Sequence, residues 1–590
     1  MSPGDPPPGP APRPGPGRSP WLWLLCLLPG LLLWPLPRVG GSELLAAPGY
    51  EAASHVWGLW AAWTLKQPLV LRTDLLAWPD GVSLVLVDPI HLPWFGLGHA
   101  LVGPALGFNL VLVGGLLVAG LAGALLAREV DAPVAVGAVA AMATPPLLAA
   151  PGAGLTEDLG VGWVGLQLAL LLRAKRTGRA RDALLAALAL GACAWAGPYN
   201  ALLAAAVDLP VAGAWLWKAG RAGTPLRGAL RQLATVGLGG VLLAAPVAWA
   251  ILAQRAPDQP GSAARAGLPA PDVGPDRFRG GLMYGVDLLD PWLPAALTGG
   301  VPQVSHTGYL GIVALLAAGL ALARQRRLWP WLAGAAGMLL LALGPHLSLA
   351  GRPLQLDGQP LLGPAGLLTL ALPALGRITR WYRAAAVAGL LLAPLVAVAV
   401  RGRPRAAALL VAGLLLDSLL LAPLPWPLPS TPLPHANAWA ALSAAAPAGL
   451  SAAAPTGLST APAGPVLELP LATSGAPAPG QWRDAGPLAQ TLHGRPLGGA
   501  MMGLPPSTAA RDAQRRVQTL LRTGRLDAAD QRALRRDGFA LLALRTTYLP
   551  LSPAAMSALD RCLGRPLVET DGLRIHAIPV EPVDCAPPAL

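Results

Sequence analysis

Long apolar runs separated by short polar connections dominate residues 21–422 of the chain. The runs lie at 21–37, 107–127, 132–150, 159–173, 183–197, 199–217, 232–252, 306–323, 328–346, 384–400 and 406–422. A helix needs about 20 apolar residues to cross a bilayer squarely. Several runs are shorter, so we expect their ends to extend into flanking residues, or some runs to be half-helices packed inside the protein. The pattern predicts an all-α polytopic membrane bundle of about eleven transmembrane helices.

Composition favours lipid as the solvent of this bundle. The 590 residues are 54% hydrophobic and 12% charged, with a mean hydropathy of +0.52. A soluble domain carries about 25% charged residues. The net charge of +13 comes from basic clusters between apolar runs, where such residues set membrane topology, so it gives no support to a nucleic-acid partner. The sequence contains no phosphate-binding P-loop, no GxGxxG motif after a strand, no HExxH motif and no zinc-ligand cysteine spacing.

Basic clusters alternate along the connections and predict the orientation. They occupy every second connection, at Arg128; Arg173, Lys175, Arg176, Arg179 and Arg181; Lys218, Arg221, Arg227 and Arg231; Arg324, Arg326 and Arg327; and Arg401, Arg403 and Arg405. All five clusters fall on the cytoplasmic side if the N-terminus is inside. The composition, rich in Ala, Gly, Pro, Leu and Arg, suggests a bacterial gene. We therefore expect a multi-pass protein of a bacterial inner or plasma membrane, with outer loops 38–106, 254–305 and 347–383.

The two ends of the chain differ from the bundle. Residues 1–20 are rich in Pro and Gly and predict a disordered cytoplasmic tail. Residues 423–464 read as a Pro/Ala-rich linker. Residues 465–590 predict a small extracytoplasmic α/β domain, with strands at 466–469, 539–544 and 573–578, helices at 528–537 and from Ser552-Pro553 to Gly564, and a hairpin turn at Asp571-Gly572. In an oxidising compartment Cys562 and Cys585 form a disulfide or stay as two unpaired thiols.

An aromatic stretch stands in the first outer loop. Trp57, Trp60 and Trp63 are three residues apart and would lie along one side of a helix. Indole rings favour the membrane–water interface. The spacing predicts a helix lying flat in that interface.

Several short segments resemble the GT-C superfamily of multipass membrane glycosyltransferases, in particular its large uncharacterised bacterial groups. The resembling segments are Gly49-Tyr-Glu51-Ala-Ala-Ser-His55-Val-Trp57-Gly-Leu-Trp60, Thr73-Asp-Leu-Leu-Ala-Trp78-Pro-Asp-Gly81, His306-Thr-Gly-Tyr309-Leu-Gly311, Leu341-Ala-Leu-Gly344-Pro345-His346, Arg377-Ile-Thr-Arg380-Trp-Tyr382-Arg383, Val466-Leu-Glu-Leu-Pro470 and His493-Gly-Arg-Pro496. Together they extend through most of residues 20–580, and each is short.

The resemblance implies transfer of a sugar from a polyprenyl-phosphate donor to an envelope acceptor, in a cavity at the outer membrane face. It also implies an acidic residue in the first outer loop that acts as a base or metal ligand. The corresponding position here is Glu51, where family members more often have Asp near a Gly-Asp pair.

The residues themselves point to the same chemistry. Transfer from a lipid phosphate needs a carboxylate that deprotonates the acceptor or holds a divalent cation. Glu157 and Asp158 in the second outer loop could join Glu51 in that role. Arginine suits the departing phosphate, and three arginines spaced three apart are candidate phosphate ligands: Arg377, Arg380 and Arg383. The metal requirement stays open.

Ordinary explanations compete with these roles. The carboxylates could be solvated loop residues, and the arginines could anchor a helix to lipid headgroups. His55, His91, His306 and His346 form no close ligand pair in the sequence. Asp208 and Asp417 fall inside predicted spans, where hydrogen bonding to a neighbouring helix competes with a functional role. A transporter or flippase would depend on those two residues, and a catalytically inactive scaffold for envelope assembly would depend on none of these carboxylates.

Overall fold

The computed structural model describes residues 20–47, 52–86, 88–222, 226–253, 285–294, 308–372, 375, 380–422, 426–433, 435–439, 464–471, 485–499, 506–549, 551–570, 572–583 and 585. Some predictions concern residues outside these ranges. They are the disordered tail up to residue 19, the roles of Glu51 and Arg377, the turn residue Asp571, and most of the linker and of the outer loop 254–305.

Helices occupy all the predicted apolar runs. In chain order they are α1 (Pro20–Leu32), α2 (Leu36–Val39), α3 (Ala52–Leu65), α4 (Leu92–Leu101), α5 (Pro104–Glu129), α6 (Val134–Met142), α7 (Pro145–Ala153), α8 (Thr156–Leu159), α9 (Val161–Thr177), α10 (Ala180–Trp195), α11 (Pro198–Arg221), α12 (Leu226–Ala253), α13 (Ile312–Arg324), α14 (Trp329–Ala342), α15 (Pro364–Ala371), α16 (Arg383–Ala399), α17 (Pro404–Leu420), α18 (Ala485–His493), α19 (Thr508–Thr523), α20 (Ala528–Arg536) and α21 (Pro553–Leu563). Short 3₁₀ turns cover Pro89–His91 and Arg326–Leu328.

The number of full-length spans is lower than the number of apolar runs. In the described part of the chain, α5, α11 and α12 are long and apolar enough to cross a membrane. The pair α6 and α7 passes as a fourth crossing only if its two helices, bent by 45°, count as one span. The other runs form helices of 13–17 residues, shorter than a straight crossing requires. The predicted count of about eleven spans is therefore not confirmed.

Helix α16 is the centre of the bundle, and all of its residues are buried. It packs against α5, α6, α9, α13 and α14. Its Ala, Gly and Val residues permit this close approach from several sides. The neighbouring helices α5 and α6 approach even more closely, since a Cβ on Gly123 would lie 2.3 Å from the carbonyl oxygen of Gly137.

The bent pair of helices α6 and α7 leads the chain to the short helix α8. Helix α7 ends at Gly154, which has a φ of +70° and leaves no room for a side chain. A Cβ at Gly154 would lie 2.4 Å from the Cβ of Ala52 at the start of α3. The single turn α8 follows, and it positions Glu157 and Asp158 beside α3 rather than in an exposed loop.

Helix α3 is buried within the protein for most of its length, so Trp57 and Trp60 contact other parts of the chain; its predicted place in the membrane interface stays a prediction. Trp57 is 0% exposed and Trp60 is 6% exposed. The helix packs against α4 on one side and α18, from the C-terminal segment, on another. The Nε1–H of Trp57 donates to the side chain of Gln490 on α18 at 2.6 Å. The tryptophans of α3 therefore pack against other helices of the same chain.

The C-terminal segment contains a four-stranded sheet. Its strands are β9 (Val466–Leu469), β10 (Leu541–Leu544), β11 (Val568–Thr570) and β12 (Leu573–Ala577), and their order in the sheet is β11-β12-β10-β9. β9 runs parallel to β10, and the other pairs are antiparallel. The predicted strands and helices of this segment are confirmed, including the caps in which side chains accept from the first helical turn, at Asp527 for α20 and Ser552 for α21.

Both faces of this sheet are buried, which explains its continuous apolar strands. Leu542 and Leu544 pack under α19 and α21, whereas Leu541 and Ile575 belong to the core shared with the helical bundle. The period of two along β10 separates the two sets.

Four two-stranded pairings occur elsewhere in the described part of the chain. β1 (Glu43–Leu44) pairs with β8 (Thr431–Pro432). β2 (Val70–Thr73) with β3 (Val82–Val85), β4 (Ser348–Leu349) with β5 (Arg352–Pro353), and β6 (Gln355–Leu356) with β7 (Gln359–Pro360) form antiparallel pairs.

Candidate functional site

Charged side chains from four separate parts of the chain meet at one end of the bundle. Glu157 and Asp158 come from α8, Arg383 from the start of α16, His55 from α3, and Asp88 from the segment before α4. Each is between 1% and 8% exposed. We refer to these five residues as the charged cluster. Ionised groups are rarely buried unless they are paired, so the partners of each decide what the cluster can do.

Arg383 joins the two carboxylates. Its Nη2 lies 2.6 Å from the Oε1 of Glu157, and its Nε contacts the Oδ1 of Asp158. The two acids are adjacent in the single turn α8, so one guanidinium can reach both. A planar fork with several N–H donors is suited to such a double contact.

His55 links Glu157 to a second acid. Its Nε2 lies 2.9 Å from the Oε2 of Glu157, and its Nδ1 lies 2.9 Å from the hydroxyl of Thr156. The Thr156 hydroxyl donates to Asp88, which is also 3.1 Å from the Nδ1 of His91. A continuous series of polar contacts therefore leads from Glu157 to His91. Such a series can pass a proton between its ends.

Three further residues contact the charged cluster and hold its side chains and backbone in place. The Tyr382 hydroxyl donates to the Oδ2 of Asp158 at 3.1 Å. The guanidinium carbon of Arg383 lies 4.7 Å from the ring centre of Tyr199, within the range of a cation–π contact. Asn200 donates its amide to the backbone carbonyl of Glu157 at 3.2 Å, which holds the turn that carries both acids.

The two neighbouring acids of α8 differ in their acidity. Burial favours the neutral form of Glu157, but the charges of His55 and Arg383 outweigh it and hold the pKa well below the ordinary value. For Asp158, burial together with repulsion from Glu157 prevails over the charge of Arg383 and raises the pKa to about 6. Burial also opposes ionisation of Asp88, yet its contacts to the two histidines keep the pKa low. Of the three acids in the charged cluster, Asp158 is thus the one that accepts a proton most readily near neutral pH.

Of the predicted catalytic and phosphate-binding residues, three lie in contact with one another and two lie outside the described ranges. Glu157, Asp158 and Arg383 are in contact, whereas Glu51 and Arg377 are not described. Arg383 was predicted as a phosphate ligand, and in the structure its guanidinium pairs with the two carboxylates. Its neighbour Arg380 is half-buried and lies 3.4 Å from the Tyr382 hydroxyl.

Two further predictions concern residues away from the cluster. Cys562 and Cys585 are free, buried thiols, and that of Cys585 donates to the backbone carbonyl of Leu526 at 3.1 Å, so no disulfide joins them in this structure. Asp417 accepts from the Tyr309 hydroxyl at 2.6 Å and from the backbone N–H of Val313 at 2.9 Å, which caps α13. Asp208 accepts from Gln167 at 2.5 Å. The two aspartates within predicted spans therefore bond to neighbouring helices.

Sequence reasoning missed the roles of His55, Asp88, Thr156 and Tyr382. One signal was available, because His55 interrupts an otherwise apolar helix. A polar side chain in such a position needs a partner. In the described part of the chain, no group of three or more His, Cys, Asp or Glu side chains has the geometry of a metal site.

The fold of this chain was compared with those of known proteins. No family model and no curated protein matches the chain. A solved mutant of the arabinofuranosyltransferase AftD from mycobacteria matches at 18% identity over 95% of this chain and 41% of that chain, with a TM-score of 0.50. A second AftD structure matches with a TM-score of 0.49, also at 18% identity, over 95% of this chain and 40% of that chain.

A third neighbour is the archaeal oligosaccharyltransferase AglB from Archaeoglobus fulgidus, solved in complex with an inhibitory peptide and a dolichol-phosphate. It matches at 12% identity over 95% of this chain and 74% of that chain, with a TM-score of 0.44. The AftD match with a TM-score of 0.50 shows a shared fold, which agrees with the resemblance of the sequence to the GT-C superfamily of membrane glycosyltransferases. The chain spans only 40–42% of the length of the AftD chains that it resembles.

Proposed function

We propose that this chain is a membrane glycosyltransferase that moves a sugar from a polyprenyl-phosphate donor to an envelope acceptor. The observation that carries the proposal is the meeting of Glu157, Asp158, Arg383, His55 and Asp88 at one end of a bundle with the GT-C fold. Burying five charged or titratable groups costs desolvation free energy, so we do not expect such a cluster in a bundle with a purely structural role.

Glu51 is proposed as the catalytic carboxylate, with Asp158 or Glu157 in support. Contacts of the described residues on either side of Glu51 in the chain support this proposal. The backbone N–H of Ala47 donates to the carbonyl of Gly152 at 2.8 Å, and Ala52 lies against Gly154. The first loop is therefore attached on both sides of Glu51 to the chain that leads into α8.

The reaction proposed is an inverting transfer. The carboxylate of Glu51 takes the proton of the acceptor hydroxyl while the oxygen of that hydroxyl bonds to the anomeric carbon of the donor sugar. The bond from that carbon to the donor phosphate breaks, and its electron pair stays on the phosphate oxygen. Arg380 is proposed to contact that phosphate, because Arg383 is already paired with the carboxylates. Glu157 and Arg383 would then hold Asp158 in place rather than react.

The membrane orientation is proposed from the alternating basic clusters. It places the charged cluster and the C-terminal segment outside and the connections at Arg176 and Arg326 inside. The charged cluster would then face the compartment in which envelope polymers are assembled.

The test is transfer from a labelled polyprenyl-phosphate sugar by membranes that contain the full chain. Glu51→Gln should lower turnover by about 10²–10⁴-fold, since a base or metal ligand is lost. The matched control is Asp80→Asn, an exposed carboxylate of the same outer loop, which should leave turnover unchanged. Turnover that survives Glu51→Gln would favour the transporter or scaffold alternatives, and export of labelled lipid without transfer would identify the former.

A further inference from the structure

A basic cavity lies at the end of the bundle opposite the charged cluster. It has a volume of about 190 Å³ and lies between the C-terminal ends of α5 and α9. Glu157 and Asp158 of the charged cluster lie just before α9, whereas the cavity is lined by the C-terminal half of α9, from Ala169 to Thr177. A 17-residue helix is about 25 Å long at 1.5 Å per residue. The cavity is therefore separate from the proposed transferase site.

The cavity combines an apolar floor with an arginine rim. Leu125, Ala169 and Leu170 form the floor. Three arginines line the rim, which also includes Glu129 and Thr177: Arg128, Arg173 and Arg176. Leu121 is 51% exposed and lies one turn before Leu125, so an apolar strip on α5 leads along the helix into the cavity.

Glu129 and Asp182 pair with two of the three arginines, and the net charge of the rim stays positive. Glu129 Oε1 lies 2.9 Å from the Nη2 of Arg176, and Asp182 Oδ1 lies 3.0 Å from the Nε of Arg173. Arg128 is exposed. Each guanidinium has five N–H donors, so further donors stay available at the rim. Three positive charges against two negative charges leave the rim cationic.

We propose that this cavity binds the phosphate headgroup of an anionic phospholipid. A phosphate has the charge and the acceptor geometry that arginine forks recognise. An adjacent apolar strip suits an acyl chain, which a free inorganic anion lacks. Basic pockets between membrane helices bind such headgroups in other proteins. The headgroup would clamp the ends of α5 and α9, the two helices that precede and follow the broken pair leading to Glu157.

The test measures lipid binding to the purified full chain by native mass spectrometry and by melting in detergent, with phosphatidylglycerol or phosphatidylcholine added. The site variant is Arg128→Gln with Arg173→Gln and Arg176→Gln. The matched control is Arg326→Gln with Arg403→Gln and Arg405→Gln, which removes the same charge from exposed positions of other connections.

Phosphatidylglycerol should bind and raise the melting temperature of the wild type, and phosphatidylcholine should not. An arginine that contacts the bound headgroup contributes about fivefold in affinity, so the site variant should lose roughly a hundredfold; the control arginines do not line the cavity, so their loss should be severalfold at most. Equal losses in the two variants would overturn the proposal in favour of general surface attraction.

Two further measurements test the site if the triple variant does not fold and distinguish a lipid headgroup from a free anion. Arg128→Gln alone leaves the pairs of Arg173 and Arg176 intact, and it should lower affinity about fivefold even if the triple variant does not fold. An unchanged affinity in that folded variant would count against the site. Competition by inorganic phosphate or glycerol phosphate at millimolar concentration would identify a free-anion site and overturn the lipid assignment.

Discussion

Arg383→Gln tests whether the buried arginine serves the neighbouring carboxylates or an incoming phosphate. Its side chain is 2% exposed and contacts both Glu157 and Asp158. Glutamine is neutral and shorter, so the change leaves two acids close together without their shared cation.

The size of the effect follows from burial. Removing one partner of a buried ion pair costs about 3–5 kcal/mol, because the remaining charge stays unpaired in a medium that solvates it poorly. With an unfolding entropy of about 2.1 cal/mol/K per residue, a chain of this length would lose roughly 2–4 °C in melting temperature. Adding Glu157→Gln and Asp158→Asn to Arg383→Gln removes the unpaired charges and should recover most of that loss.

The assay is a thermal melt of the purified chain in detergent at one scan rate, since unfolding of such proteins is often irreversible. The control is Arg403→Gln, an exposed arginine that should leave the melting temperature unchanged. The reasoning fails if Arg383→Gln melts like the wild type and raises the KM for the lipid donor, because Arg383 would then face the donor phosphate. It also fails if the triple variant recovers nothing.

Three other predictions can be checked separately. Because burial and Glu157 raise the pKa of Asp158 to about 6, transfer should rise with pH through that value and then level off if ionised Asp158 supports Glu51, and a flat profile would exclude that supporting role. In a cysteine-free background, a cysteine at the exposed Val580 should react with an impermeant label on intact cells and one at the exposed Arg326 should not; the reverse pattern would invert the topology. The fragment 465–585 should melt cooperatively, since one face of its sheet has a complete core, but at a lower temperature than in the full chain; a gradual melt would contradict the boundary.

The local structure of this protein could be predicted from its sequence. Apolar runs predicted the helices because a backbone in lipid must satisfy its hydrogen bonds internally. Cap residues predicted the ends of α20 and α21, since Asp527 and Ser552 each bond within one turn of themselves. The number of crossings was less predictable, because a short apolar helix has the same composition whether it spans lipid or lies inside the protein.

Only the tertiary structure decided which side chains meet. Glu157 and Arg383 were named separately, as a base and as a phosphate ligand, and they form one ion pair although they are 226 positions apart in the sequence. Helix α3 carries an interfacial pattern of tryptophans, yet the C-terminal segment covers it. The physical reason is that helix formation depends on neighbours within four residues, whereas the environment of a charge or an indole ring depends on distant segments that pack against it. The sequence therefore determined the helical elements and the types of group available, and the packing of α3, α8 and α16 determined which of those groups share a site.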